Sequence, residues 1–418
     1  MALKERFLFP QTYRASKPDI GIVFPDSYFT GMSSLAFHAL QNRLLSLNAG
    51  NIHRFFFEKN ILWSPENTDP ASMDLFFITC SFEKNYDNLS KIKKQINNTP
   101  CVIGGLCPTY NPNYFKNDFT IVYRGDLIDR HLAETFDNAL QHKRTITPVH
   151  KKHKDDKPEF SSIIAEDTEF SNFFLIEIGR GCRAACKFCL ISHVYKPPLF
   201  FKKSYIIEIL ESYSYAYKKV GFIAPCMNEH PDIKELLIWC IKHDKEVGFS
   251  SLRIDTVDDE FIRLFTRLHQ RNITFAPESF STRIKKQLGK NIPNDRYLSK
   301  AEAFIQAGIS HIRLYLLCGA ENESLNDVRE NIKIIKQIRG MFKAQAKKTK
   351  KMGDIRISLN PLIPKPLTPF KHADFIDKKT YREIVNLYKR SLLPLGNITV
   401  KHEGYRSAFI QYQYSKLC

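Results

Sequence analysis

The sequence lacks any apolar run long enough to cross a membrane, and it lacks the compositional bias of fibrous or disordered chains. Its 418 residues are 43% hydrophobic and 25% charged, which excludes disordered and collagen-like classes. The apolar stretch 75–82 has the length of a core strand, well below the ~18 residues of a membrane span. The first charged residues are not followed by the apolar segment of a secretory signal, so we expect a cytoplasmic protein.

Cysteine is also scarce, with ten in the chain, too few for a disulfide scaffold. Seven stand alone, most of them inside apolar runs where cysteine is usually a small buried hydrophobe: Cys80, Cys101, Cys107, Cys226, Cys240, Cys318 and Cys418. The other three are clustered and require a separate explanation.

Acidic residues are outnumbered: 44 face 62 lysines and arginines, giving a net charge of +18. Such an excess favours an anionic partner, nucleic acid first. The basic clusters at 143–157 and 343–351 would suit a polyanion, and they would equally suit a solvated lysine-rich surface. Charge therefore leaves the substrate open between nucleic acid, protein and small molecules.

Strands and helices alternate along the chain in two blocks. In residues 1–141, apolar runs such as 20–24 and 75–80 alternate with helical patterns such as 33–47, which predicts a Rossmann-like, doubly wound parallel sheet. Residues 142–162 are rich in Lys, His and Asp, and we interpret them as a basic linker. Residues 163–397 contain six strand–helix units, which predict a partial (βα)₆ TIM-type barrel, and 398–418 a tail packed on it. The fold class is therefore α/β, with chemistry expected on the loops that follow the strands.

The motif that carries chemistry directly follows the first barrel strand: Gly179-Arg-Gly-Cys182-Arg-Ala-Ala-Cys186-Lys-Phe-Cys189. Chance would place this cysteine spacing somewhere in such a chain with a probability of roughly 0.6%. Thiolates this close repel one another unless cations hold them, so the spacing indicates a metal site. Two metals remain open. With His193, the cysteines would form a four-ligand zinc site. An iron–sulfur cube would use three cysteines and leave one iron for a ligand that is not protein.

The motif and its setting resemble the radical S-adenosylmethionine (SAM) superfamily, and in particular its members with an N-terminal cobalamin (B12)-binding-type domain. The resemblance spans about residues 20–416. In the barrel it rests on 177–182, Pro197-Pro198, Ser251-Leu-Arg-Ile-Asp255, Phe275-Ala-Pro-Glu278, Leu314-Tyr-Leu-Leu-Cys-Gly319 and 360–370; in the first domain it rests on 25–33 and 103–112.

The resemblance implies a [4Fe–4S] cluster held by Cys182, Cys186 and Cys189, whose open iron chelates SAM. One electron then cleaves SAM to a 5′-deoxyadenosyl radical that abstracts a hydrogen atom. It also implies an external electron donor of flavodoxin or ferredoxin type. The protein's task in this chemistry is to orient the reactants and keep water out.

Several further site residues follow from the resemblance. Glu278 stands where the family places a polar SAM contact, and its alternative role is a solvated carboxylate at a helix start. Arg253, predicted within a strand, needs a partner such as the SAM carboxylate or Glu278. Gly319 lets the backbone approach a ligand, and Glu323 either contacts SAM or caps the next helix. The family's Gly-Leu-Pro-x-Glu pattern is replaced here by Gly319-Ala-Glu-Asn-Glu323.

Two isolated cysteines, Cys226 and Cys318, end predicted barrel strands on the rim that carries the motif. Each is a candidate catalytic group, as a hydrogen-atom donor, a substrate-linking thiol or a further metal ligand. The alternative for both is inert packing.

The first domain lacks the Asp-x-His-x-x-Gly motif with which B12 domains often supply a lower axial histidine. His38 lies within a predicted helix and His53 starts a strand. Cobalamin would instead be cradled by Gly104, Gly105 and the loop at Gly31, or the domain has lost it and shapes the substrate site.

Three functional hypotheses follow. The first is cobalamin-dependent methylation of an unactivated carbon. The second is radical SAM rearrangement, cyclisation or sulfur insertion without cobalamin, on RNA, peptide or a small molecule. The third, from another class, is a zinc-binding nucleic-acid module without redox chemistry.

Overall fold

The longest apolar runs of the sequence form buried parallel strands. The computed structural model describes residues 3–10 and 12–417. Its strands are β1 Glu5–Phe7, β2 Asp19–Phe24, β3 Asn51–Glu58, β4 Ile61–Trp63, β5 Leu75–Thr79, β6 Cys101–Gly104, β7 Ile121–Gly125, β8 Thr145–His150, β9 Ile163–Ala165, β10 Phe173–Glu177, β11 Gly179–Arg180, β12 Leu199–Phe200, β13 Lys219–Ile223, β14 Glu246–Gly248, β15 Asn272–Glu278, β16 His311–Cys318, β17 Asp354–Pro361 and β18 Ile398–His402.

Helices connect most of these strands. They are α1 Tyr28–Gly31, α2 Leu35–Ser46, α3 Tyr86–Gln95, α4 Leu106–Tyr110, α5 Pro112–Phe115, α6 Asp129–Leu140, α7 Ile191–Val194, α8 Lys203–Ser212, α9 Ile233–Lys242, α10 Asp259–Arg267, α11 Thr282–Leu288, α12 Asn294–Gln306, α13 Leu325–Thr349, α14 Lys378–Leu392 and α15 Tyr405–Ser415. Short 3₁₀ turns lie at Pro70–Ser72, Glu83–Asn85, Ser214–Ala216, Met227–Glu229, Ile254–Thr256 and Leu393–Leu395. None of the described helices is both long and apolar enough for a membrane span.

The chain divides into two compact units. The N-terminal unit comprises the described residues up to 178, residues 201–223 and Leu417; the C-terminal unit comprises 179–200 and 224–416.

A seven-stranded sheet organises the N-terminal unit, in the order β4-β3-β2-β5-β6-β7-β8. Its pairs are parallel except for the β3–β4 hairpin at one edge. The central strands β2 and β5 are buried almost throughout, as expected for parallel strands covered on both faces. The strand order reverses at β2, which makes the carboxyl ends of β2 and β5 the expected ligand crevice of such a sheet. The prediction of a doubly wound α/β sheet is confirmed.

The predicted linker 142–162 requires a correction. Residues Thr145–His150 form the edge strand β8, which pairs with β7 through Ile121↔Thr145 and Val122↔Ile146. Its two threonines and Pro148, and the basic residues that follow at 151–154, hid this strand, because an edge strand has one solvated side and tolerates such residues. The other domain boundaries given by the sequence stay a prediction.

The C-terminal unit is built on a four-stranded parallel sheet in the order β15-β16-β17-β18. Strands β15, β16 and β17 belong to the predicted strand–helix units, and the C-terminal segment adds β18 to the sheet. Helix α13 begins with a capping box formed by Ser324 and Asp327. In the predicted C-terminal tail, the Ser415 hydroxyl of α15 donates to the Pro364 carbonyl at 2.8 Å.

Candidate functional site

The cysteine motif lies in a loop that a two-stranded ladder closes. Antiparallel pairs Gly179↔Phe200 and Arg180↔Leu199 join the two ends of the loop. Within it the Cys189 amide donates to the Cys186 carbonyl at 3.1 Å, which folds the second half of the motif into a turn. Cys186 is buried, whereas Cys182 and Cys189 are half-buried. The loop therefore presents thiols at the edge of the fold rather than in its core.

His193, the fourth ligand of the zinc alternative, is engaged elsewhere. Its ring hydrogen-bonds the backbone carbonyl of Cys186, and burial lowers its pKa. The Nε2 atom is buried without a hydrogen-bond partner in the described chain. Neutral His193 thus helps to fix the loop.

Cys226 lies against the first cysteine of the motif. The Sγ atoms of Cys182 and Cys226 are 3.8 Å apart, and the Ala184 amide donates to Cys182 Sγ at 3.4 Å. Donation from the Cys226 thiol is the main cause that lowers the pKa of Cys182 to about 6. The same contact raises the pKa of Cys226. Cys182 is therefore the thiolate of this pair at neutral pH.

Arg253 connects this thiol pair to two carboxylates. Its guanidinium bonds Asp255 at 2.8 and 3.1 Å and lies 3.3 Å from Glu229. Asn228 holds the Arg253 backbone at both ends, donating to its carbonyl at 2.7 Å and accepting from its amide at 3.0 Å. Arg253 does not lie inside a strand as predicted, because after β14 only Leu252 pairs with the sheet, as an isolated bridge to Phe275. Its partners are Asp255 and Glu229 rather than Glu278.

Glu278 pairs with Lys290, a residue that the sequence analysis missed. Lys290 Nζ donates to Glu278 Oε1 at 3.1 Å, and the side chains are 16% and 11% exposed. Glu278 ends β15 at a bulge with a φ of 62°, a turn that no periodicity in the sequence reveals. Burial raises the pKa of Glu278, and the charge of Lys290 opposes the rise. Burial also raises the pKa of Cys186 to about 11, again against the charge of Lys290.

These groups meet at a cleft of about 220 Å³. Cys186, Arg253 and Lys290 line it, together with Arg296 and Asp255. Arg253 and Lys290 are paired with Asp255 and Glu278, and Arg296 adds positive charge, so the cleft suits an anionic group such as a carboxylate.

The loop after β16 contains the remaining predicted residues. Gly319 has a φ of +88°, and a Cβ there would lie 2.8 Å from Ile376 Cβ, so packing requires glycine at this position. The Gly319 amide donates to Glu323 Oε2 at 2.5 Å, while Glu323 Oε1 is buried without a partner in the described chain. Burial raises the Glu323 pKa to about 7. Glu323 does not cap α13, because Ser324 and Asp327 do so.

Cys318 is 1% exposed, and its thiol donates to the Asn360 carbonyl at 3.6 Å. Burial raises its pKa well above the usual range. In contrast to Cys226, Cys318 is a packed thiol with a backbone partner.

In the N-terminal unit, packing accounts for two of the three predicted glycines. A Cβ on Gly105, whose φ is +112°, would lie 2.6 Å from the Cys80 carbonyl oxygen, and one on Gly31 would strike the Phe56 ring at 2.5 Å. A Cβ on Gly104 would meet nothing closer than 3.8 Å.

His38 and His53, the two histidines considered as cobalt ligands, have hydrogen-bond partners at both ring nitrogens. The ring nitrogens of His38 lie 2.9 Å from Ser162 Oγ and 3.0 Å from the Met32 carbonyl. Those of His53 lie 3.0 Å from both Thr68 Oγ1 and Asp19 Oδ1.

Comparison with known proteins gives a family match that includes the cysteine motif. Residues 176–335 match the Radical SAM superfamily. The uncharacterized protein MJ0966 of Methanocaldococcus jannaschii is 28% identical over 412 residues, which is 94% of this chain and 87% of that protein.

Two solved structures share the fold. The radical SAM methyltransferase TsrM of Kitasatospora setae, solved with tryptophan substrate and a SAM analogue, has a TM-score of 0.53 at 10% identity and covers 77% of this chain and 71% of its own. The cobalamin-dependent SAM radical enzyme OxsB, solved with aqua-cobalamin and SAM, has a TM-score of 0.52 at 12% identity. It covers 76% of this chain, which spans about half of OxsB (52%).

Proposed function

We propose that this chain, which carries a radical SAM domain over residues 176–335, binds a [4Fe–4S] cluster and SAM at the cysteine loop and performs radical chemistry. Bound there, the cluster and SAM would supply the electron and the radical precursor. The observation that carries the proposal is the cysteine motif, held in a closed loop beside a cationic cleft.

The donor set fits an iron–sulfur cluster. Cys182, Cys186 and Cys189 would supply one thiolate to each of three irons, and the fourth iron would stay open to SAM. Lys290 and Arg253 at the cleft bring positive charge next to the thiolates, which offsets the repulsion among them.

The chain's own residues would bind and orient SAM. Arg253, Lys290 and Arg296 face the cleft and suit its carboxylate. Glu323 offers the unpartnered Oε1 to a hydroxyl or ammonium group, and Gly319 fixes the Glu323 carboxylate through its amide. Glu278 would act indirectly, because its carboxylate accepts a hydrogen bond from Lys290 and so positions that side chain.

The test is iron and sulfide content with the anaerobic absorbance spectrum, for wild type and a Cys182→Ala/Cys186→Ala/Cys189→Ala variant. We expect about four irons per wild-type chain and none in the variant. Cys240→Ala is the matched control, since Cys240 is a buried thiol of α9 and should leave the iron content unchanged. Failure of zinc-free protein to take up iron under anaerobic reconstitution, with zinc bound once it is added, would contradict the proposal and favour the zinc-binding nucleic-acid module.

For the reaction, our first proposal is cobalamin-dependent methylation of an unactivated carbon. It is supported by the seven-stranded sheet and by the fold shared with TsrM and OxsB. Gly104 leaves space at the carboxyl end of β6 for a close ligand. His38 and His53 cannot serve as an axial ligand without losing their present bonds, so we assign no protein ligand to cobalt.

Radical modification without cobalamin is the second proposal, and one observation favours it. Gly31 and Gly105 are required by internal packing alone, without any ligand. Titration of the purified protein with aquacobalamin separates the two. A shifted corrinoid band that saturates at one equivalent, and weakens in Gly104→Leu, supports methylation. An unshifted spectrum supports the cobalamin-independent reaction.

A further inference from the structure

Three ligand-type side chains converge beside the cysteine loop, and only one of them belongs to the motif. The Sγ atoms of Cys182 and Cys226 and a carboxylate oxygen of Glu229 all lie within 4.8 Å of one another. Cys186 and Cys189 are not part of this group. A ligand set other than the three-cysteine motif is thus already assembled.

The spacing of the two sulfurs is that of a single tetrahedral metal ion. Two thiolates bound to one zinc at ~2.3 Å with tetrahedral angles are about 3.8 Å apart. The Cys182–Cys226 distance in the structure is 3.8 Å. A carboxylate oxygen on the same ion would lie about 3.6 Å from each sulfur, so Glu229 needs to move by little more than ~1 Å.

Local structure explains why Cys226 and Glu229 face the same point. They flank Met227 and Asn228 on a single 3₁₀ turn, closed by the Glu229 amide donating to the Cys226 carbonyl at 3.1 Å. This bond keeps the two residues close, although Cys226 is the N-cap of the turn and has a non-helical ψ of 87°. Arg253, 3.3 Å from one Glu229 oxygen, holds the carboxylate in this orientation.

We propose that, in the protein without its cluster, Cys182, Cys226 and Glu229 bind one divalent thiophilic cation, with water as the fourth ligand. Binding releases the thiol protons to solvent and involves no oxidation. Because Cys182 serves both ligand sets, an ion in this site excludes the cluster. Zinc should prevail over ferrous iron here, since it binds a given nitrogen, oxygen or sulfur site more tightly.

The site itself does not depend on the proposed function, and the test uses cluster-free protein. Anaerobic, phosphine-reduced full-length chain is titrated with Co²⁺, whose thiolate charge-transfer band grows with the number of bound thiolates. We expect one ion with the intensity of two thiolates, retained in a Cys186→Ala/Cys189→Ala variant. Cys226→Ala should weaken binding about 100-fold or more, since loss of even an outer-shell partner costs 10–100-fold. Glu229→Gln should weaken it about tenfold.

Zinc competition adds a second readout. Wild type preloaded with one equivalent of Zn²⁺ should resist cluster reconstitution, whereas Cys226→Ser should take up iron despite the zinc. Circular dichroism of each variant checks that it is folded.

Three results would overturn the proposal: no cobalt bound by folded wild type, three-thiolate intensity lost in Cys186→Ala/Cys189→Ala, or unchanged affinity in Cys226→Ala. None of them bears on iron content after reconstitution, which tests the cluster separately.

Discussion

The network around Arg54 in the N-terminal unit and the loops around the cysteine motif in the C-terminal unit treat buried polar groups differently. In the N-terminal unit, Arg54 is 1% exposed and its guanidinium is saturated, bonding Glu5 at 2.6 and 2.9 Å and Glu66 at 2.6 Å. Glu159 is likewise shared between Arg43 and Lys152. These networks are closed and leave nothing for a ligand.

The loops of the C-terminal unit leave polar groups partly satisfied. Glu323 Oε1 has no partner in the described chain, and the Cys182 and Cys226 sulfurs have mainly each other. Since buried polar groups are normally bonded, incomplete ones indicate where a ligand completes the structure. In this comparison, the fully bonded network stabilises the fold, whereas the incompletely bonded groups lie at the candidate site.

The largest effect should come from opening a closed network. Arg54→Met leaves Glu5 and Glu66 without their cation, and we expect a loss of about 3–5 kcal/mol in the free energy of unfolding, measured in urea. The triple variant with Glu5→Gln and Glu66→Gln should recover much of the loss. A loss below ~1 kcal/mol for Arg54→Met alone would show that the network contributes little.

Next comes the Lys290–Glu278 pair beside Cys186. Lys290→Met strands a buried carboxylate, so we expect about 3 kcal/mol of destabilisation at pH 7, measured on cluster-free protein to exclude metal linkage. Adding Glu278→Gln should restore most of it, because no buried charge then remains. Equal stability of the single and double variants would mean that the pair is not coupled.

We expect Glu323 to make the free energy of unfolding depend on pH. Its pKa in the folded protein, about 7, lies above the ordinary 4.5, so the fold favours the protonated carboxyl. This contribution to stability is complete below pH 4.5 and is lost as the pH rises through 7. We expect the difference between wild type and Glu323→Gln to change by about 2 kcal/mol over that window, with the variant gaining relative to wild type. A difference that stays constant with pH would show that Glu323 is ionised throughout.

The smallest effect should come from an exposed pair. Lys234 contacts Asp258 at 2.5 Å and Glu260 at 2.7 Å, with all three side chains at least 35% exposed. Lys234→Gln should change the free energy of unfolding by less than ~1 kcal/mol, and salt should reduce the change further. A larger loss would blur the distinction between closed buried networks and ordinary surface pairs.

Periodicity predicted most of the strands because burial on both faces leaves a continuous apolar run. The predicted apolar runs 20–24 and 75–80 correspond to β2 and β5. Periodicity did not predict the structure correctly in two segments. Thr145–His150 is a strand within a segment of mostly polar and basic residues, and the segment between β14 and Arg253 pairs only at Leu252.

The three-cysteine motif, the α/β class and the doubly wound sheet could all be identified from the sequence alone. Each depends on spacing or periodicity within a few residues, and such patterns are local. The contacts between the motif and residues distant in the sequence are visible only in the folded structure. Cys226 lies 44 residues from Cys182, and Lys290 reaches Glu278 through a bulge with positive φ. A local sequence pattern does not predict these two contacts, because they depend on how the strands and turns pack and not on the neighbouring residues in the chain.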